Sequence, residues 1–297
     1  MPSATKTSTP FYIPSVDISP YLADPTSPEA EKVTQDIRAA FLSTGFFQLL
    51  GHQIPRSLQR DVFNGSAKFF SLPMATKMEV LATKDSGFKG YDVLASQSYQ
   101  PENLPDMKEG YFSGHPWLPH EPQVLAKRFM ASPNVWPSEP VLAAKEFKEP
   151  MERYYEAMLQ LMGTVLDLIA ATLPFGPHVF DEMRANTPAC PLRLLHYPPT
   201  PAQQAGAKKQ QGASEHTDFG AVTLLLQDAN PGLEVLDHHT GDWILVPPNP
   251  DAYGMFSVLI MSYCRKLIHE KLSQKIQQCL TLFLAFTTMA ANIVKSG

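Results

Sequence analysis

The sequence predicts an α+β, mainly β fold in which a helical N-terminal half is followed by short strands. Apolar residues keep helical spacing most clearly over 149–173. After residue 188 the pattern changes to short apolar runs separated by Gly and Pro turns, which favours a β-sandwich or barrel. The 28 prolines among 297 residues are about twice the usual share and predict short elements joined by many loops.

Charge and composition exclude several classes of partner. The net charge is −5, from 24 Lys and Arg against 29 Asp and Glu, so no basic surface for nucleic acid is indicated. Residues 280–294 are apolar but shorter than the roughly 20 residues that span a bilayer, so no membrane span is expected. Three cysteines and the lack of an apolar signal segment favour a cytoplasmic protein.

The first half is predicted to be a helical frame. Ser27 and Pro28 supply an N-cap and a first helical residue, and helical spacing then continues to residue 43. The helix over 149–173 is predicted to be a structural support rather than a binding surface. The other elements predicted here are an edge strand over 11–22, a buried strand over 46–50, a helix over 55–71 and loops over 84–140.

The second half is predicted to contain four short strands, over 192–197, 221–226, 233–236 and 243–246. Between the first two lies the segment Glu215-His-Thr-Asp-Phe-Gly220. Residues two apart in an extended segment face the same side, so the side chains of His216 and Asp218 can converge on one point. An imidazole and a carboxylate are two of the three ligands of the non-haem Fe(II) triad. A lone His-x-Asp sequence also occurs by chance.

Several further motifs occur in one order along the chain: Gly45-Phe46-Phe47, Gly51-His52-Gln53-Ile54-Pro55, Gly87–Tyr91, Asp106-Met107-Lys108-Glu109, Arg193–Pro199, His216–Gly220 and Asn230–Val235. With these motifs, the chain resembles the isopenicillin N synthase-like family of iron(II)/2-oxoglutarate-dependent dioxygenases. The resemblance covers about Tyr12 to Tyr253.

The resemblance implies a fold and a reaction. The fold would be a distorted double-stranded β-helix, or jelly roll, supported by N-terminal helices. The activity would be the oxidation of a small organic substrate by hydroxylation, desaturation or ring closure, in specialised metabolite biosynthesis. The cofactor would be Fe(2+), with 2-oxoglutarate and O2 as co-substrates and ascorbate as an aid in vitro.

The resemblance also assigns residues. His216 and Asp218 would be metal ligands, and no catalytic residue is predicted beyond the metal site. Tyr197 would contact 2-oxoglutarate, the alternative being a half-buried strand aromatic. Arg193 lies four residues earlier, on the same strand face, and could bind the same carboxylate or be a surface cation. His52 is expected to be packed structurally.

His196 is predicted to face away from Tyr197, because neighbouring residues of a strand point to opposite sides.

The chain departs from the family pattern at about Gly254. The family carries a third ligand, a histidine, and then an arginine that pairs with 2-oxoglutarate. Here His269 lies in a helix-like context and no arginine follows Arg265. The sequence therefore predicts that the C-terminal strands are missing or replaced by helix.

The predicted divisions are a flexible N-terminus over 1–10, a helical and loop region over 11–180, a jelly-roll region over 188–253 and an atypical helical tail over 254–297. Three hypotheses stay open at this point. The chain is an active 2-oxoglutarate-dependent oxygenase, a catalytically impaired family member that lacks the third histidine and the arginine, or an oxidase of the same fold that does not use 2-oxoglutarate.

Overall fold

The computed structural model describes residues 12–98, 102–185, 187–199, 208–216, 222–237, 240–256 and 288–291. The helices are α1 (Ser19–Ala23), α2 (Pro28–Ser43), α3 (Arg56–Phe70), α4 (Met74–Met78), α5 (Pro122–Leu125), α6 (Lys148–Thr172) and α7 (Asp181–Ala185). The strands are β1 (Ser15–Asp17), β2 (Phe46–Leu50), β3 (Gly90–Asp92), β4 (Glu109–Ser113), β5 (Leu192–His196), β6 (Thr223–Gln227), β7 (Glu234–Leu236), β8 (Trp243–Leu245), β9 (Tyr253–Phe256) and β10 (Thr288–Ala291).

Strands from both halves of the chain share one sheet. Its order is β1-β2-β9-β6-β10-β5-β4-β3, and β7 and β8 form a separate antiparallel pair. Strand β9 pairs antiparallel with both β2 and β6, and β4 pairs antiparallel with both β3 and β5. The sheet therefore depends on pairings between residues far apart in sequence.

The predicted helical frame is present. The Ser27 hydroxyl accepts a hydrogen bond from the Ala30 amide at 3.1 Å, which caps α2 as the sequence predicts. Helix α6 packs against α2 and α3 and buries an apolar stripe along its length. The strands predicted near 192–197, 221–226, 233–236 and 243–246 correspond to β5, β6, β7 and β8.

Two strands were missed in the segment predicted as loops. Strands β3 and β4 both lie within 84–140, and β4 is buried in the interior of the sheet. Strand β4 begins with the charged residue Glu109 and contains Gly110, so its composition does not resemble a buried strand. The Glu109 carboxylate accepts hydrogen bonds from residues far away in the sequence, and a local sequence pattern cannot show such contacts.

The predicted helical tail is wrong where the structure describes it. Residues 254–256 belong to β9, and β10 runs parallel between β5 and β6. Each of those strands would otherwise leave a row of backbone donors and acceptors unpaired on that side, so sheet pairing overrides the local pattern. The rest of the tail, including His269, lies outside the described residues.

Across the described ranges, no helix combines the length and the apolar character needed to cross a bilayer.

The contact between α3 and the start of α6 gives a test of packing. A Cβ added at Gly65 in α3 would lie 2.6 Å from the Glu146 carbonyl oxygen, in the short 3-10 helix that precedes α6. We expect Gly65→Ala to lower the free energy of unfolding by about 1–3 kcal/mol, because backbone must move. Gly163→Ala in α6 is the control, since a Cβ there meets nothing within 4 Å.

The control should raise the free energy of unfolding by about 0.5–1 kcal/mol, the usual gain of alanine over glycine in a helix. Denaturant unfolding of the two variants measures both effects. Shifts in the same direction would contradict this account of the packing.

Candidate active site

The two faces of β5 have different surroundings. Residues alternate along a strand, so Arg193, Leu195 and Tyr197 share one face, while Leu192 and Leu194 on the other face belong to the main core. Leu195 and Tyr197 pack with Ala213 in a small apolar cluster that is separate from that core. The face that carries Tyr197 is therefore turned towards the segment 208–216.

Tyr197 lies directly against the backbone of that segment. Its side chain is buried, and a Cβ added at Gly212 would lie only 2.9 Å from its Cδ1 atom. Only glycine allows the backbone to approach the ring so closely. The structure thus brings the predicted co-substrate residue Tyr197 next to the segment that leads to His216.

The imidazole of His216 has a defined orientation. Its Nδ1 atom lies 2.7 Å from the Ser214 carbonyl oxygen. A carbonyl oxygen only accepts, so Nδ1 carries the proton and donates it. In the neutral ring Nε2 then holds the lone pair, which is the state that metal-binding histidines use. His216 is therefore suited to bind Fe(II) through Nε2.

Asp218 lies outside the described residues, so its pairing with His216 stays a prediction. Among the residues that the structure describes, which include neither Asp218 nor His269, no three His, Cys, Asp or Glu side chains are grouped to hold a metal ion.

A fully buried carboxylate holds the segment that carries His216. Asp106 Oδ1 accepts hydrogen bonds from the Ser214 amide at 2.8 Å and from the Ser214 hydroxyl at 2.6 Å. Its Oδ2 atom accepts one from Lys108 Nζ at 2.8 Å. Burial lowers the pKa of Lys108, and the hydrogen bond to Asp106 opposes this effect. The sequence showed Asp106 and Lys108 only as part of a motif, without a role.

A second buried carboxylate, Glu109, lies at the start of β4. Its Oε2 accepts from Lys77 Nζ at 2.6 Å and from the Tyr91 hydroxyl at 2.5 Å, and its Oε1 lies 2.8 Å from His196 Nδ1. Burial acts to raise the pKa of Glu109, but the hydrogen bonds from these three residues hold that pKa below its usual value.

Arg193 is already engaged by protein groups. Its Nη2 donates to Asp92 Oδ2 at 3.2 Å and to Gln97 Oε1 at 3.3 Å, and the guanidinium lies over the Phe112 ring. The carboxylate of Asp92 therefore balances much of its charge. Its buried Nε has no hydrogen-bond partner among the described residues. The role of Arg193 with 2-oxoglutarate stays a prediction.

Two other histidines occupy the places that the sequence predicts. His196 contacts Glu109 and stacks on Phe70, so it faces away from Tyr197. His52 is buried and packs edge-on against Tyr253, and its Nδ1 accepts a hydrogen bond from the Ile54 amide. His196 therefore serves as a partner of the buried Glu109 carboxylate, and His52 packs in the core and accepts from the backbone.

Two family models match this chain. A model described as the N-terminal region of non-haem dioxygenases in morphine synthesis matches residues 13–139. A model of the 2OG-Fe(II) oxygenase superfamily matches residues 188–262.

Fungal relatives carry related descriptions. The chain is 53% identical over 281 residues to the 2-oxoglutarate-dependent dioxygenase citB of Monascus ruber, covering 93% of this chain and 84% of that protein. It is 50% identical over 251 residues to the clavatol oxidase claD of Penicillium crustosum, covering 82% of this chain and 74% of that protein.

Two solved structures are similar to this chain in fold and in sequence. Full-length Neurospora crassa T7H in complex with alpha-KG and 5-formyluracil is 30% identical with a TM-score of 0.65, covering 82% of this chain and 71% of T7H. A putative 2OG-Fe(II) oxygenase of Caulobacter crescentus is 28% identical with a TM-score of 0.66, covering 84% of this chain and 75% of the Caulobacter protein. These neighbours confirm the jelly-roll fold class that the sequence predicts.

The buried Glu109 gives a pH test. Because its pKa in the folded chain is below the usual 4.5, the native state binds fewer protons than the unfolded chain near that pH. The ionised form therefore stabilises the fold above that value, and this contribution is lost as the pH falls through 4.5 and then through the lower folded pKa.

We expect Glu109→Gln to be destabilised near neutral pH and to approach the stability of the unchanged chain in acid. Denaturant unfolding from about pH 7 to about pH 3 measures the difference. Glu146→Gln, at an exposed ion pair with Lys68, is the control and should stay close to the unchanged chain throughout. A stability difference for Glu109→Gln that does not depend on pH would contradict the assignment.

Proposed function

The chain belongs to the 2OG-Fe(II) oxygenase superfamily, and from that premise we propose that its iron site is built on His216 and Asp218. Enzymes of this superfamily use Fe(2+), 2-oxoglutarate and O2. The observation that carries the proposal is the hydrogen bond from His216 Nδ1 to the Ser214 carbonyl oxygen at 2.7 Å. It orients the ring and leaves the lone pair on Nε2, as a metal ligand requires.

The chain's own residues bind and orient the reactants. When bound, the iron centre with 2-oxoglutarate and O2 supplies the oxidant that removes hydrogen from the substrate. The Tyr197 hydroxyl donates a hydrogen bond to a carboxylate of 2-oxoglutarate. Leu195 and Ala213 pack around that side chain, and an apolar environment strengthens such a bond.

Arg193 is the second candidate group for the co-substrate. It lies on the Tyr197 face of β5, and its buried Nε has no hydrogen-bond partner among the described residues. Asp92 already pairs with its Nη2, so the Asp92 carboxylate offsets part of the attraction that Arg193 exerts on a second carboxylate.

The proposed substrate is a small organic molecule of specialised metabolism, which is hydroxylated, desaturated or cyclised. The support is the 50% identity to a protein described as a clavatol oxidase and the structural match to T7H bound to 5-formyluracil. A cytoplasmic location is part of the proposal, and the free thiol of Cys190 is consistent with a reducing compartment.

The specific alternative is an impaired enzyme. It is favoured by one sequence observation, that the residues after about Gly254 depart from the family pattern and His269 has helix-like neighbours in the sequence. The two candidates differ in turnover and agree on ancestry, so a direct assay of succinate release separates them.

The iron site is tested by His216→Ala and Asp218→Ala. We expect each to abolish 2-oxoglutarate-dependent succinate release measured with Fe(II) and ascorbate, because a ligand is lost. His178→Ala is the control, since that exposed histidine pairs with Asp181 on the surface. Undiminished succinate release by His216→Ala would overturn the proposal. If the unchanged chain binds Fe(II) through His216 and releases no succinate, the impaired alternative is correct.

The role of Tyr197 is tested by Tyr197→Phe. Loss of a hydrogen bond to a charged group costs about 1.5–3 kcal/mol, so we expect the KM for 2-oxoglutarate to rise by about tenfold or more. Tyr154→Phe is the control, because it removes another buried hydroxyl that bonds to Tyr253 in the main core. That variant should lose stability and keep its KM. An unchanged KM in Tyr197→Phe would make Tyr197 a packing residue only.

A further inference from the structure

We propose that Asp106 is a positioning residue for the iron site, and that it acts through Ser214 to fix the direction of the His216 ring. This inference rests on the proposed function, because it takes His216 as a metal ligand. Asp106 itself is fully buried, so its role is to hold the protein segment that presents His216.

The first step is the contact between Asp106 and Ser214. One oxygen, Oδ1, accepts from both the backbone amide and the side-chain hydroxyl of Ser214, at 2.8 and 2.6 Å. Because two donors of Ser214 bond to a single acceptor, both the position and the orientation of Ser214 are held. Ser214 is also buried, so water does not compete for these bonds.

The second step is the contact between Ser214 and His216. The same serine that donates to Asp106 through its amide accepts from His216 Nδ1 through its carbonyl, at 2.7 Å. Movement of Ser214 therefore moves the acceptor that defines the imidazole tautomer and tilt. Three residues from two distant parts of the chain form one continuous series of hydrogen bonds.

The backbone around Asp106 holds it in place. The Asp106 amide donates to the Gln97 carbonyl at 2.8 Å, and the Met107 amide donates to the Gln211 carbonyl at 2.7 Å. The Leu104 amide donates to the Lys209 carbonyl at 3.0 Å. Residues 104–107 thus run beside 209–214 as a second support for the segment.

The charge of Lys108 explains how a carboxylate is tolerated here. Its Nζ lies 2.8 Å from Asp106 Oδ2, and both side chains are almost completely buried. Buried ion pairs are often no more stabilising than apolar residues of the same size. A need to place Ser214 accounts for a buried pair that stability alone does not require.

The central experiment compares two double variants of the full chain. Asp106→Asn with Lys108→Met keeps a hydrogen-bond acceptor for Ser214, and Asp106→Leu with Lys108→Met removes it. Both remove the buried charges, and Asn and Leu have the same number of side-chain heavy atoms and the same branching, so the two variants differ mainly in the acceptor. Binding is measured with Co(II) in place of Fe(II), at a fixed 2-oxoglutarate concentration.

We expect the double variant with Asp106→Leu (the Leu variant) to bind Co(II) about tenfold more weakly than the unchanged chain. This is the lower end of the usual effect of groups that orient metal-binding histidines. The double variant with Asp106→Asn (the Asn variant) should bind Co(II) about as tightly as the unchanged chain. Proton NMR of the Co(II) form should show an exchangeable, hyperfine-shifted His216 Nδ1 proton in the unchanged chain and the Asn variant. The Leu variant should lose that signal.

Ser214→Ala keeps the test decisive if the Leu variant does not fold. It removes one of the two bonds to Asp106 and should weaken Co(II) binding in the same direction by a smaller factor. Ser66→Ala is the matched control, because Ser66 is a buried serine whose hydroxyl has no hydrogen-bond partner among the described residues. It should leave Co(II) affinity unchanged.

The outcomes separate the two proposals. If the unchanged chain binds no Co(II), or His216→Ala binds it equally well, the proposed function falls and this inference falls with it. If His216→Ala loses the metal while the Leu variant, the Asn variant and Ser214→Ala all bind like the unchanged chain, only the role of Asp106 is overturned.

Discussion

The burial of carboxylates near the start of β4 is the constraint on which the rest of the site depends. Asp106 and Glu109 are both inside the protein, and an ionised carboxylate is tolerated there only with charged or hydrogen-bonding partners. Glu109 takes its partners from α4, β3 and β5, whereas Asp106 takes its partners from Lys108 and Ser214. The same groups that satisfy these charges hold together the elements that carry Tyr197 and His216.

The sheet brings both halves of the chain to these carboxylates. Strand β4 comes from the first half and β5 from the second, and their antiparallel pairing places Glu109 opposite His196. One face of β5 then completes the main core, and the other packs on Ala213 beside Tyr197. The helical frame serves this arrangement by covering the core, because α2, α3 and α6 bury the apolar side of the structure.

Local patterns predicted the elements that are locally encoded. Helices α2 and α6 have caps or long apolar stripes, and β5 has strand-like alternation, so all three could be found in the sequence. Strand β4 could not, because its buried charge is compensated by residues elsewhere in the chain. The same reason hid Asp106, since a role that consists of bonds to Ser214, more than a hundred residues away, leaves no periodic signal. Strand β10 was missed because pairing with β5 and β6 decides its conformation.

The sequence by itself determined the family, the helical frame and the candidate ligands His216 and Asp218, because these depend on ordered motifs and on the spacing of residues within single elements. Only the tertiary structure decided which nitrogen of His216 carries the proton, that Gly212 lies against Tyr197, and that Asp106 holds Ser214. The contacts of Gly212 with Tyr197 and of Asp106 with Ser214 join separate segments, and the local contact of His216 with Ser214 depends on the backbone geometry that these contacts hold.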